Sequence, residues 1–348
     1  MPTQTTQQRT VLDALPKAEL HLHLEGSIRP QTAAELAARH GVKLAPEEVS
    51  ARYNYSNFAG FIEAFKWVTS FLREPEDYAL ITRKLAEELV GQNVIYAEIT
   101  ISAGVMLRRM QNVEANFTAI REASESVLYR HLRTAWIFDA TRQFGPEAAS
   151  EAARTAAKLH RAGVTAFGMG GDELAFPAAH FRPAFDLARN EGLRIVCHAG
   201  ELGGPESVRE AVEILGAERV GHGIAMMHDP ALAASLATRH VVLENCISSN
   251  VCTGALAKQT GKPDASVVDH PLAQLLAHGS LVTLSSDDPA MFHTDLLTEY
   301  AHAASLGLSN QQLLRLAEQS FSAAFLPPTE KRQLLEDFQA AARSSGLL

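Results

Sequence analysis

The chain has 348 residues, 46% of them hydrophobic, so it can bury roughly three-quarters of its unfolded surface and is long enough for one α/β barrel or two smaller domains. Its formal charge of −9 and its lack of any basic run argue against a nucleic-acid partner, whose phosphates need a lysine- and arginine-rich face. Cys197, Cys246 and Cys252 form no CxxC pair and are odd in number, which argues against a disulfide framework or a thiolate-rich metal site and leaves three reduced thiols.

Residues 1–10 are polar and no run approaches the roughly 18 apolar residues of a bilayer span. A cytoplasmic protein acting on a small molecule, with no membrane partner, is expected. A first strand is predicted at 19–24, where leucines alternate with His21 and His23, so both imidazoles leave the same face. Residues 29–72 read as a helical insertion, with Phe61, Ile62, Phe65 and Trp67 at helical spacing. A helix over 76–91 leads to strand 94–102, and strand 133–140 is followed by a helix over 148–162 and strand 164–169. A helix over 182–191 precedes strand 193–198, which ends on His198 with Glu201 three residues beyond. A helix over 206–215 leads to strand 219–222, ending on His222. Strand 241–247, a helix over 271–278 and strand 281–286 follow, then Asp287 and Asp288, and finally helices within 294–343.

Eight strands alternating with helices predict one domain over 1–348, a (β/α)8 TIM barrel with the insertion after strand one and extra carboxyl-terminal helices; a doubly wound open sheet is the alternative. In a barrel these histidines and aspartates gather at the carboxyl ends of the strands, where active sites of this architecture lie. Three imidazoles and a carboxylate suit a divalent transition metal, zinc above all.

Lys17-Ala18-Glu19-Leu20-His21-Leu22-His23-Leu24-Glu25-Gly26, Gly170-Gly171-Asp172-Glu173, His198-Ala199-Gly200-Glu201, Arg219-Val220-Gly221-His222-Gly223, Ser286-Asp287-Asp288-Pro289 and Ser320-Phe321-Ser322-Ala323-Ala324-Phe325-Leu326-Pro327 occur in this order along nearly the whole chain. Together they resemble the adenosine deaminase family of the amidohydrolase superfamily. The resemblance implies one zinc per chain on His21, His23, His198 and Asp287, with a water whose pKa falls from 15.7 to roughly 7. It implies that Glu201 protonates N1 of a 6-aminopurine and shuttles a proton to the departing ammonia, that His222 orients the attacking hydroxide, that Asp288 contacts N7 and that the Gly171 N–H contacts N3. His23, Glu25, Gly171, Asp288, Phe61 and Phe65 are the expected substrate contacts, the two phenylalanines as part of a lid over the pocket. Because neighbouring strand residues face opposite ways, Asp287 and Asp288 can share the site only if the strand has ended before them.

Two-metal members of the superfamily need a bridging lysine or glutamate at the end of strand four, and Phe167-Gly168-Met169-Gly170-Gly171 has none. At the sugar end, Glu25 stands where adenosine-acting members usually carry a shorter aspartate, and Thr100 and Gly104 where they carry an arginine and a proline. The combination implies a nucleoside, either adenosine or one altered at the 5′ position such as aminodeoxyfutalosine, an intermediate of an alternative menaquinone route; adenine or an N6-substituted adenine is the alternative. A non-catalytic metal-binding barrel is disfavoured because neither Glu201 nor His222 is needed to hold a metal. A phosphoesterase or amidase is disfavoured because the strand-end motifs offer no second metal site or cationic clamp, Arg219 lying where its strand begins.

Overall fold

The apolar runs become eight parallel strands in the computed structural model, which describes residues 10–125 and 131–347; the polar stretch over 1–9 lies outside them. The strands are β1 (Lys17–His23), β2 (Val94–Ile101), β3 (Arg133–Thr141), β4 (Val164–Gly170), β5 (Arg194–Ala199), β6 (Arg219–His222), β7 (Val242–Asn245) and β8 (Leu281–Leu284). They pair in chain order, each parallel to the next, which is the topology of a (β/α)8 TIM barrel. Between β1 and β8 the seam is closed by a single bridge, Leu22 to Asp287. There the His23 N–H donates to the Asp287 carbonyl at 2.8 Å and the Asp287 N–H to the His21 carbonyl at 3.1 Å. Ser285 Oγ accepts the His21 N–H at 3.1 Å. Barrel closure therefore passes through a predicted site residue.

The outer helices fall close to their predicted places, among them Pro75–Gly91, Gly145–Leu159, Arg182–Asn190 and Leu272–Ala277. Differences from the sequence reading have local causes. β7 stops at Asn245 because a helix, Ile247–Cys252, starts two residues later, and β8 stops at Leu284, before a turn that puts Asp287 at φ 63°. The insertion is three helices, Pro30–Arg39, Pro46–Arg52 and Phe58–Thr69, the last begun by Asn57, whose side chain accepts the Gly60 N–H at 2.9 Å. Of the three carboxyl-terminal helices, Asn310–Ala323 packs against β8 and β1 as the eighth helix of the barrel. Only Leu296–Ser305 and Pro328–Ser344 are additions.

The amino-terminal half of the barrel interior is charged. Arg219, at the start of β6 and 1% exposed, lies 2.6 Å from Glu98 of β2 and 2.7 Å from Glu244 of β7. Its guanidinium sits 3.7 Å over the Phe325 ring. A buried charge is tolerated when it is paired in this way, and the pairing hands a fixed carboxylate, Glu244, to the site above. Cys197, Cys246 and Cys252 are free thiols. Among the described residues no helix is long and apolar enough to cross a membrane.

Candidate active site

Period-two geometry on β1 sends His21 and His23 into the barrel mouth, where His198 at the end of β5 meets them. The ring centroids are 4.6 Å apart for His21 and His198 and 5.4 Å for His23 and His198. Asp287 Oδ1 lies 3.5 Å from His21 Nε2 and 3.3 Å from His23 Nε2. Gly221 makes this crowding possible, since a Cβ there would stand 2.6 Å from His21 Cε1 and 3.1 Å from His198 Cδ2.

The donor set suits a metal ion. The His21 Nδ1–H is committed to Glu244 Oε2 at 2.8 Å, which leaves Nε2 as the atom that can offer a lone pair. Burial works against an ionised Glu244, but Arg219 and His21 hold its pKa below the usual carboxylate value. His21 Nε2 and Asp287 Oδ1 are both buried without a hydrogen-bond partner among the described residues. Burial opposes charge on His21, yet Asp287 and Glu244 push its pKa up to about 10, so the cluster attracts one positive charge beside Asp287. Burial and the neighbouring imidazoles drive His23 down to about 4 and His198 well below the usual value, the Asp287 carboxylate notwithstanding. They are neutral donors. The ligand atoms of His21, His23 and His198 lie within 4.8 Å of one another.

Beside this cluster, His222 Nε2 is 3.6 Å from Glu201 Oε2 and 3.9 Å from Asp287 Oδ2. His222 has φ 61°, a conformation costly for a residue with a Cβ, and its carbonyl is held by the Asn245 side-chain amide. Glu201 is buried, and desolvation together with the charges of Asp287 and Glu173 raises its pKa well above the ordinary value. Its side chain lines the cavity. The loop that carries it is gripped from two sides. Glu173 accepts the N–H groups of Gly200, Glu201, Leu202 and Gly203 at 2.5, 3.1, 2.6 and 2.8 Å, together with the Ser207 hydroxyl. The Gln259 amide donates to the carbonyls of Glu201 and Gly203 at 2.9 and 2.7 Å.

Because β8 has ended, Asp287 and Asp288 line one cavity. Asp288 approaches so closely that a Cβ on Gly26 would lie 1.8 Å from its Oδ1. Asp288 is driven well above the ordinary carboxyl pKa by burial and by the adjacent Asp287. The empty space of the cavity, counted together with the open solvent at its mouth, is about 720 Å³. Its lining includes His23, His198, Glu201 and His222 and an aromatic wall of Phe58, Phe61, Ile62 and Phe65 from one helix, with Phe144 and Phe292. Trp67 turns away, against Arg52 at 4.3 Å. Gly171 borders the cavity at φ 91°, and a Cβ on it would meet Gln143 Oε1 at 2.3 Å.

The structure thus brings together His21, His23, His198, Glu201, His222, Asp287, Asp288, Gly171, Phe61 and Phe65. Glu25 stands one layer back. Its carboxylate accepts the Ser102 N–H at 3.0 Å, and Ser102 rather than Glu25 borders the cavity. Burial pushes Glu25 up to about 7. Sequence reasoning missed the supporting contacts of Glu244, Glu173 and Gln259, and missed Asp139, a buried carboxyl in the cavity wall. Only Glu173 had a signal, as the last residue of the Gly170-Gly171-Asp172-Glu173 motif.

A parallel eight-stranded barrel with a His-x-His pair on β1, a histidine on β5 and an aspartate after β8, all at one mouth, defines an enzyme of the amidohydrolase type. The chain belongs to the adenosine deaminase family, whose profile it matches over residues 16–341. It is 41% identical over 329 residues to the aminodeoxyfutalosine deaminase of Streptomyces avermitilis, covering 92% of this chain and 89% of that one. It is 35% identical over 323 residues to an adenine deaminase of Rhizobium leguminosarum bv. trifolii, covering 92% and 98%. The crystal structure of the adenine deaminase from Arthrobacter aurescens superposes with a TM-score of 0.86 at 28% identity, over 95% of this chain and all of that one. The protein is a deaminase, a hydrolase acting on C–N bonds.

Proposed function

We propose that the protein hydrolyses the 6-amino group of a purine nucleoside extended at its 5′ position, aminodeoxyfutalosine being the named candidate and adenosine the second, with one zinc held by His21, His23, His198 and Asp287. The observation that carries this reading is that the histidine and carboxyl cluster and an aromatic wall line one and the same cavity. A 5′ extension would give the aromatic wall a group to pack against that adenine alone lacks. The relatives named aminodeoxyfutalosine deaminase, at 41% and 40% identity, support the same choice, and β4 carries no lysine or glutamate to bridge a second ion.

Bound among these donors, the ion supplies Lewis acidity that makes water a nucleophile at neutral pH. The residues around it do the rest. Glu201, protonated and facing the cavity, gives its proton to N1 as water adds at C6. The water's two protons then end one on the leaving nitrogen, which departs as ammonia, and one back on Glu201. His222 fixes the orientation of the attacking oxygen. Asp288, carrying its proton, donates to N7, an acceptor, while the Gly171 N–H serves N3. Phe61 and Phe65 cover the remainder of the substrate and exclude water.

The test is ammonia release and kcat/KM across adenine, adenosine, 5′-substituted adenosines and aminodeoxyfutalosine, with aminodeoxyfutalosine or another 5′-extended nucleoside expected to lead. Adenine outperforming every nucleoside would overturn the substrate reading.

A further inference from the structure

The face of His222 turned away from the cavity ends in a chain of three directional hydrogen bonds. The Leu272 backbone N–H donates to His270 Nδ1 at 3.2 Å, and a backbone amide can only donate. His270 Nδ1 therefore carries a lone pair, and the ring proton sits on Nε2. Burial, reinforced by the nearby imidazoles of His222 and His302, drives His270 down to about 3, so the ring is neutral. Its Nε2–H faces Asn250 Oδ1 at 3.2 Å. That contact orients the Asn250 amide, because the reversed amide would set an N–H against an N–H. Asn250 Nδ2 is then the group 3.1 Å from His222 Nδ1 and donates to it. His222 Nδ1 is an acceptor, and the proton of a neutral ring lies on Nε2, the atom between Glu201 Oε2 and Asp287 Oδ2. The opposite tautomer would aim a lone pair at the Asp287 carboxylate and an N–H at the Asn250 N–H. Asn250 is 0% and His270 5% exposed, so no bulk water competes for these positions.

We propose that Asn250 and His270 are positioning residues that lock His222 in the Nε2–H tautomer, so that His222 meets the reacting atoms as a hydrogen-bond donor and not as a proton-accepting lone pair. The effect on turnover rests on the deaminase reading above; the tautomer itself does not. The chain begins at a backbone amide, which cannot change its protonation, and so the setting is permanent. It also distributes the work. A ring that already holds its cavity-facing proton orients the attacking oxygen, while proton uptake belongs to the carboxyls.

The experiment is long-range proton–nitrogen correlation of the imidazole rings in metal-loaded protein labelled with 15N-histidine, the His222 signals assigned by their loss in His222→Gln. Wild-type protein should show His222 protonated at Nε2 and bare at Nδ1. In Asn250→Asp the new carboxylate accepts on both sides, so the proton should move to Nδ1 and kcat should fall by about 10² to 10⁴, the scale of a reversed tautomer in a catalytic imidazole, with metal content and KM near the parent. His270→Gln keeps an amide donor toward Asn250 Oδ1 and should preserve both tautomer and most of the turnover. A wild-type His222 protonated at Nδ1, or a reversed tautomer in Asn250→Asp with kcat unchanged, overturns the proposal. Should Asn250→Asp not fold, the wild-type spectrum decides. If no 6-aminopurine is turned over while His222 shows the Nε2–H form, the deaminase reading fails and the tautomer assignment stands.

Discussion

Replacing Glu173 with Gln tests how the barrel positions its proposed proton donor, because Glu173 itself lies behind the loop of Glu201. In the wild-type protein Oε2 accepts the N–H groups of Glu201, Leu202 and Gly203, while Oε1 accepts the Gly200 N–H and the Ser207 hydroxyl. A glutamine does least damage with its NH2 on the Oε1 side, where the Ser207 hydroxyl can turn round and accept. Even so the Gly200 N–H loses its partner, and the three bonds to the remaining oxygen drop from charge-assisted to neutral, about half the strength. At about 1.5–3 kcal/mol for each bond to a charged group, one bond lost and three halved cost the loop on the order of 4–8 kcal/mol of local stability. The barrel does not unfold, since the loss falls on one loop, but the Glu201 carboxyl is no longer held, and a misplacement of about 1 Å costs on the order of 10² in rate. We expect kcat to fall by about that factor with metal content unchanged, and amide exchange at Gly200 to Gly203 to quicken. Wild-type kcat together with wild-type exchange at these amides would refute the reasoning, and a fall in kcat that tracks metal loss would relocate the effect to His198.

Elemental analysis should find one divalent ion per chain, lost in His23→Ala; two tightly bound ions, or undiminished content in that variant, would refute the assignment of the donor set. Glu201→Gln should retain metal and fold while kcat drops by about 10² to 10⁴, the range of a positioned acid or base; near-normal turnover would mean that another group serves N1. Glu244→Gln should weaken metal binding by about 10- to 100-fold in a chelator competition, because the His21 Nδ1–H loses its anionic partner; an unchanged affinity would show that His21 needs no orienting carboxylate.

The barrel was legible because its signals are local. An alternating run, a helical period and a glycine at a helix end each span a few residues, and eight strand runs separated by helical patterns leave few topologies open. The His-x-His pair was legible for the same reason, two side chains two residues apart on a strand needing no knowledge of the rest of the chain. What failed to show was what depends on distant partners. β8 ends at Leu284 because the seam closes through Asp287 onto β1, and no local pattern around Ser285 and Ser286 announces that. Asn310–Ala323 could be seen as a helix but not as the eighth helix of the barrel, a status conferred only by β8 and β1.

The same contrast separates the residues that touch the cavity from those that hold them. His21 and Glu244 are 223 positions apart, Glu173 reaches across to Gly200, and Asn250 links β6 to the segment before Leu272. Polar residues of this kind are individually indistinguishable from surface ones in a sequence, and burial alone turns them into obligations: each must find a partner or cost several kcal/mol. Glu25 illustrates the consequence. In the sequence it invites a role at the sugar; in the fold one of its oxygens is committed to the Ser102 N–H, and the cavity is lined instead by Ser102 and by Phe58, Phe61, Ile62 and Phe65. Specificity at that end then turns on shape and apolar contact, and only weakly on a charged hydrogen bond. An apolar wall discriminates by only about 1–3 kcal/mol per methylene. If the 5′ end of the proposed nucleoside lies against that wall, varied 5′ groups should be tolerated, whereas the hydrogen-bonding groups proposed around the purine should allow no such latitude at the 6-amino position.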